Sequence, residues 1–236
     1  MKAQRILDCV VTADRQELVL YQRGDVFQID IDGYDLMSSR SYGSEEELAR
    51  LALRALGERD GKEGPKALVG GLGMGFTLRA LLDRLDTLPA AAGTRVEVAE
   101  VFQAVVDWNG AHLGHLAGHP LQDPRVTVTV GDVGDCLRQA GPRYDVILLD
   151  VDNGPQALTL ESNDRLYSGR GLETIYRCLT PGGVLAVWSS FRDDRFVRRF
   201  RRAGFEVEEV LVRERPATSG RKGKGQRNVI FLGKKV

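Results

Sequence analysis

The chain has 236 residues, 33 Lys+Arg against 33 Asp+Glu, with 42% hydrophobic and 28% charged residues. That suits one large domain, or one domain with a small appendage, able to bury a full core. Zero net charge argues against bulk nucleic-acid binding, and no apolar run reaches the ~18 residues of a membrane span. The charge is unevenly spread: from Arg192 to Val236 there are 14 Lys+Arg against 6 Asp+Glu, so a local basic face is conceivable while nucleic acid is not favoured as a partner. Met1 to Val11 carries no secretory pattern. Cys9, Cys136 and Cys178 are far apart and odd in number, which predicts no disulfide framework, no metal site and a cytoplasmic location.

In chain order, Leu18–Leu20 and Val26–Ile31 alternate in the manner of strands and are broken at Arg23-Gly24-Asp25 and Asp32-Gly33. A small β meander or pair of hairpins is expected over residues 1–43, ahead of a larger unit, residues 44–236. Ser44 reads as a helix cap, with Glu47 in the capping-box position before Leu48, Leu51, Ala52 and Ala55. After a turn-rich break at Gly57–Pro65 the pattern alternates. Strands are predicted at Ala67–Val69, Val96–Val98, Val126–Val130, Val146–Leu149 and Val184–Trp188. Helices are predicted at Phe76–Leu85, from Val101 to about Leu116, and at Leu172–Leu179, the last stopped by Thr180-Pro181-Gly182-Gly183. This order predicts an α/β fold with a doubly wound, mostly parallel seven-stranded sheet. Phe205–Val212 and Asn228–Leu232 have no helix between them and predict an antiparallel edge hairpin.

Gly70-Gly71-Leu72-Gly73-Met74-Gly75 lies between the first core strand and its helix. Glycines there allow a tight turn and close approach of a ligand, although tight strand–helix packing asks for the same residues. Acids then follow at successive strand ends. Glu100 stands 25 residues beyond Gly75, near the offset at which a carboxylate accepts ribose hydroxyls. Asp132, in Gly131-Asp132-Val133, is placed to receive an adenine amino group or to cap a helix. Asp150 ends Tyr144-Asp145-Val146-Ile147-Leu148-Leu149-Asp150. In a parallel sheet all of them share the carboxyl edge, where ligands bind.

The order of these motifs resembles the spermidine/spermine synthase family, within the S-adenosylmethionine-dependent methyltransferase-like superfamily. The resemblance covers Leu18 through Gln28, Val96 to Glu100, Asp123-Pro124-Arg125-Val126 to Asp132, Tyr144 to Asp150 with Gly154-Pro155, Leu166-Tyr167-Ser168, and Leu179 to Leu185. It implies a nucleoside site formed by Gln28, Gly71, Gly73, Met74, Gly75, Glu100, Asp132, Val133 and Asp150. The implied co-substrate is decarboxylated S-adenosylmethionine, or S-adenosylmethionine itself, and no metal. It also implies aminopropyl transfer to a polyamine such as putrescine, by a homodimer, with Asp150 and Asp152 as catalytic acids. Asp150 would orient the attacking amine and help take its proton; Asp152 would neutralise a cationic substrate or cap its loop.

The chain departs from the family pattern in places. Met74 stands where the family's loop carries an aspartate that contacts the tail amine. Asp150-Val151-Asp152-Asn153-Gly154-Pro155 differs from Asp-x-x-Asp-Pro. Tyr42-Gly43-Ser44-Glu45 has the residue types of the family's Tyr-x-Glu element at another spacing. A methyltransferase using intact S-adenosylmethionine and an inactive nucleoside-binding homologue therefore stay open beside the transferase. His112, His115 and His119 would share a face on an unbroken helix, which suits either a metal or a solvated helix end, and the latter is expected. Trp108 and Trp188 read as packing residues. Arg192 to Arg202 reads as an amphipathic helix with a cationic outer face, followed by a basic loop, Arg213 to Arg227.

Overall fold

The computed structural model describes residues 3–57, 64–88, 93–141, 143–151, 165–213 and 227–236. Asp152, Gly154-Pro155 and all but the ends of the basic loop lie outside the described residues. A four-stranded antiparallel meander comes first: β1 (Arg5–Val11), β2 (Glu17–Arg23), β3 (Val26–Ile31) and β4 (Tyr34–Ser38). Its alternation turns Leu18, Leu20, Phe27, Ile29 and Ile31 inward, where they join the core beneath. Asp8 on β1 accepts the indole N–H of Trp108 at 2.7 Å, fastening the small sheet to the larger unit.

The second sheet has seven strands. These are β5 (Lys66–Gly70), β6 (Arg95–Glu100), β7 (Val126–Val130), β8 (Tyr144–Leu149), β9 (Leu179–Ser189), β10 (Phe205–Arg213) and β11 (Arg227–Lys235), in the order β10-β11-β9-β8-β5-β6-β7. The run from β9 to β7 is parallel, and β11 and β10 add an antiparallel hairpin at the edge. The central strands are buried on both faces. In β8, Val146 and Leu148 join one apolar cluster, and Tyr144, Ile147 and Leu149 the other. Helices α1 (Gly43–Leu56), α2 (Phe76–Leu85) and α3 (Gln103–Trp108) cover the first face. Helices α4 (Val133–Gln139), α5 (Gly169–Cys178) and α6 (Asp194–Arg202) cover the second. The chain moves outward from β5 through β6 to β7 and then returns to β8 on the other side of β5. The carboxyl ends of β5 and β8 thus flank the point where the winding reverses, the place where such sheets open a crevice.

Some local expectations are corrected. Ser44 does not cap α1; it lies inside the helix, and its Oγ accepts from Trp188 Nε1 (2.9 Å) and Asn228 Nδ2 (3.1 Å). The hydroxyl pins the start of α1 to β9 and β11. Thr180-Pro181-Gly182-Gly183 does not end before a strand but lies within β9. Pairing jumps from Tyr144↔Leu179 to Val146↔Val184, so the extra residues bulge out of the ladder. The helix expected from Val101 to Leu116 is only one and a half turns of α-helix. It widens to a π-type turn at Asn109–Leu113 and tightens to a 3₁₀ turn at Gly114–Ala117. The cause is Asn109, whose buried Nδ2 donates to Val105 O (2.9 Å) and Gly73 O (2.8 Å).

With that helix broken, the histidines diverge. His115 meets the ring of Phe27 edge-on, while His119 turns to a left-handed backbone beside Gly114. No group of three or more His, Cys, Asp or Glu suited to a metal occurs among the described residues. In α6, Asp193 caps by accepting from the N–H groups of Arg195 and Phe196, and Phe196, Val197 and Phe200 are buried. No helix among the described residues is long and apolar enough to cross a membrane.

Candidate active site

At the winding reversal the strand ends are tied by main-chain bonds. Gly71 N donates to Ala99 O, Asp150 N to Gly70 O, and Gly131 N to Glu100 O, at 2.8–2.9 Å. The glycine loop thus rests against the ends of β6 and β8 with little room for side chains. Gly71 has φ +87°, and a Cβ there would collide with the carbonyl oxygen of Asp150. Gly73 has φ +51°, and a Cβ there would strike the thioether of Met37 from β4.

A cleft open in part to solvent lies over these ends. Of the residues expected to hold a nucleoside, Gly71, Gly73, Glu100, Asp132, Val133 and Asp150 line it together. Gly75, Met74 and Gln28 do not. Gly75 is buried between Pro120 and Asn109. Met74 is 1% exposed and joins the core cluster, so the loop residues that line the cleft are Gly71 and Gly73, and the methionine in the wall is Met37. The apolar character expected from Met74 therefore comes from another strand. Gln28 lies on the face of β3 opposite to Ile29; it donates to Asp30 and borders a separate hollow with Tyr21, Arg23 and Asp35.

Each carboxylate in the cleft is held differently. Glu100 is buried. Its Oε2 accepts the N–H of Leu72 (2.8 Å) and its Oε1 that of Phe102 (3.0 Å), with Gly73 and Val101 also donating. Burial pushes its carboxyl up from the ordinary range, and these amides pull the other way. Asp132 caps α4, accepting the N–H of Asp135 at 3.2 Å, while it also lines the cleft. Asp150 Oδ2 accepts the hydroxyl of Thr77 at 2.5 Å. Thr77, in the first turn of α2, also approaches the carbonyl of Glu45 at 3.5 Å, linking α1 to the end of β8.

Glu45, Met37 and Trp188 line the cleft and were not assigned to it by the sequence. The signal for Glu45 was its place beside Ser44 at a helix start, one residue from a hydroxyl that anchors Trp188. Glu45, Glu100, Asp132 and Asp150 face the cleft, and no Lys or Arg lines it among the described residues. Such a cavity selects a cation. At the opposite, amino end of β7, Asp123 and Arg125 form a salt bridge at 2.6 Å that extends to Asp86. The guanidinium hydrogen bond holds the Asp123 carboxyl down to about 2.

Residues 45–190, more than half of the chain, match the spermine/spermidine synthase domain. The chain belongs to the spermine/spermidine synthase family. It is accordingly an aminopropyltransferase-like member of a transferase family, and the matched span runs from α1 through β9. Among solved structures it resembles the spermidine synthase of Thermotoga maritima, with TM-score 0.70, 18% identity, 98% of this chain and 73% of that one covered. It also resembles a spermidine synthase in complex with the transition-state analogue AdoDATO, with TM-score 0.69, 18% identity and the same coverage, 98% and 73%. A precorrin-6y C5,15-methyltransferase of Geobacter metallireducens shares the fold at TM-score 0.55 and 14% identity, with 80% of this chain and 89% of that one covered. These likenesses are of fold. No curated protein sequence matches the chain.

Proposed function

We propose that the chain transfers an aminopropyl group from decarboxylated S-adenosylmethionine to an amine such as putrescine. The observation that carries this reading is the cleft itself: a glycine loop and strand-end acids suited to a nucleoside, in a cavity with four carboxylates and no cation among its described lining residues. Glu100 would take the ribose hydroxyls and Asp132 the adenine edge, using lone pairs not engaged by the α4 cap. Both charges of the co-substrate, the sulfonium and the tail ammonium, are favoured there. A substrate carboxylate is not, which argues against intact S-adenosylmethionine and the methyltransferase reading. Met74 lends that alternative no weight, because it lies in the core.

In the reaction, the acceptor nitrogen forms a bond to the tail carbon beside sulfur. The carbon–sulfur bond breaks, its electron pair stays on sulfur, and neutral methylthioadenosine leaves. The protein's part is alignment and management of the amine proton. Asp150, whose Oδ2 accepts the Thr77 hydroxyl, would hold the attacking nitrogen and accept that proton. Asp152, two residues on, is proposed to assist the cationic acceptor. The transition-state analogue AdoDATO held by a structurally similar spermidine synthase supports the aminopropyl-transfer reading as a whole. In this reading residues 1–43 form a wall over a catalytic unit, residues 44–236. A homodimer, measurable by light scattering, and a cytoplasmic location, consistent with three free thiols, belong to the same reading.

The test is direct. Incubation with decarboxylated S-adenosylmethionine and putrescine should yield methylthioadenosine and spermidine in equal amounts. Tighter binding of intact S-adenosylmethionine, with methyl transfer and no aminopropyl product, would sink the proposal.

A further inference from the structure

Zero net charge conceals an uneven surface. The two longer helices on the second face of the sheet, α5 and α6, together hold seven arginines, no lysine, and two acids, Glu173 and Asp194. Because α6 turns Phe196, Val197 and Phe200 inward, Arg195, Arg198 and Arg202 form one exposed row on its opposite side, at i, i+3 and i+7. Helix α5 buries Leu172, Ile175 and Cys178 and in the same way exposes Arg170 and Arg177, seven residues apart. The helices pack side by side, so two rows, each about 10 Å long, stand about 8–10 Å apart. Among the described residues, none of Arg170, Arg195, Arg198 and Arg202 forms a side-chain ion pair, and Arg177 donates to the Thr174 hydroxyl. The edge strand β10 does not neutralise them. Its Phe205 and Val207 pack on this face, so Glu206 and Glu208 point to the other, while Glu209 pairs with Arg192.

We infer that this arginine face is a docking surface for the phosphate backbone of a nucleic-acid duplex, bound through its charge and not its base sequence. A duplex presents one negative charge per about 1.7 Å of its axis, which matches fixed rows of cations better than any single anion does. Guanidinium forks engage two phosphate oxygens at once, and every cation of these two helices is an arginine. No exposed aromatic residue lies on α5 or α6, so the bases of a single strand find nothing to stack on. No large apolar residue is exposed on them either. The apolar side of α6 is committed to the core, which leaves nothing to enter a lipid surface. The face is also separate from the cleft, whose lining includes no residue of α5 or α6, so the inference stands apart from the transferase reading.

The experiment titrates the full chain into labelled duplex DNA and duplex RNA of about 20 base pairs, read by fluorescence anisotropy between about 50 and 200 mM salt. Five phosphate contacts predict a slope of log K against log salt of about −4 on DNA, a loss of roughly 250-fold across that range. Binding of either duplex in this manner supports the inference, and the tighter of the two identifies the partner. The triple variant Arg195→Ala, Arg198→Ala, Arg202→Ala should move the slope toward zero by about 3, with the melting temperature within about 2 °C of wild type. Lysine at the same three positions keeps the charge and should hold the slope within about 1 of wild type. Arg54→Ala with Arg84→Ala, exposed on α1 and α2 across the sheet, should leave the slope as it is. A wild-type slope near zero, or an unchanged slope in the triple alanine variant, would overturn the inference. Tighter binding of a single strand than of either duplex would do the same. So would binding to phosphatidylcholine vesicles with about 30% phosphatidylserine in the absence of duplex binding, which would assign the face to an anionic lipid surface.

Discussion

Thr77→Val isolates the contact that orients Asp150. Thr77 is 3% exposed, and its hydroxyl donates to Asp150 Oδ2 at 2.5 Å, while Thr77 itself does not line the cleft. Valine has nearly the same shape, so the substitution removes a donor without opening a cavity. A hydrogen bond to a charged group contributes about 1.5–3 kcal/mol. If the orientation it imposes is needed in full in the transition state, kcat should fall about 10- to 150-fold, at roughly 1.4 kcal/mol per decade. Nucleoside affinity should change less than about 3-fold, because Glu100 and Asp132 are untouched, so the loss appears in kcat and not in KM. The assay is release of methylthioadenosine with time under saturating substrates, alongside a thermal melt. Thr77→Ser, which keeps the hydroxyl, should recover most of the rate. Equal kcat in the Val and wild-type proteins, or equal loss in Val and Ser, would refute the orienting role.

Glu100→Gln should weaken methylthioadenosine binding by about 5-fold or more, because its NH₂ would face backbone N–H donors, at a cost of about 1–3 kcal/mol; an unchanged Kd by calorimetry would remove Glu100 from the ribose site. The Glu100 carboxyl is raised by burial, so its stabilising contribution is greatest below the ordinary carboxyl range and falls as pH rises through its folded value. The wild-type melting temperature should therefore drop across that window relative to Glu100→Gln, and parallel curves would contradict it. Gly71→Ala should cost about 2 kcal/mol or more from positive φ and contact with the Asp150 carbonyl, lowering Tm by about 4–8 °C by calorimetry; an unshifted Tm would disprove the close approach. Asp123, held at about 2 by Arg125, stabilises above the ordinary value of 3.8, and this contribution is lost as pH falls toward 2. Asp123→Asn should remove up to about 2 kcal/mol at neutral pH and flatten the acid limb of the stability curve; a limb of unchanged slope would count against the pair.

The large sheet was legible because its signals are local. Val146-Ile147-Leu148-Leu149 is a continuous apolar run, as a strand covered on both faces must be, and Asp150 follows it at the carboxyl end. Glu100 and Asp132 were found for the same reason: each closes a strand whose direction the alternating pattern had set. What the sequence could not show depends on partners far along the chain. Ser44 looks like a cap until Trp188 and Asn228, 144 and 184 residues away, claim its hydroxyl. Asn109 looks like one more helical residue until the Gly73 carbonyl draws its side chain and the helix widens. Gln28 is different: Phe27, Ile29 and Ile31 already put it on the outer face of β3, so period-two alternation alone would have moved it away from the nucleoside.

Met74 is the instructive case, because it sits on the glycine loop yet is buried away from the cleft. A loop whose turns rest on glycines at positive φ does not present successive side chains by any simple period. Gly73 faces the cleft while Met74 enters the core, and the space over Gly73 is filled by the thioether of Met37 from the meander. A carboxylate grafted at position 73 would collide with Met37, so the loop could not carry an acid there without a change in β4. In the proposed reading, the charge that meets a cationic tail would therefore come from other elements: Glu45 on α1 and Asp150 at the end of β8 both line the cleft, and Thr77 touches both segments.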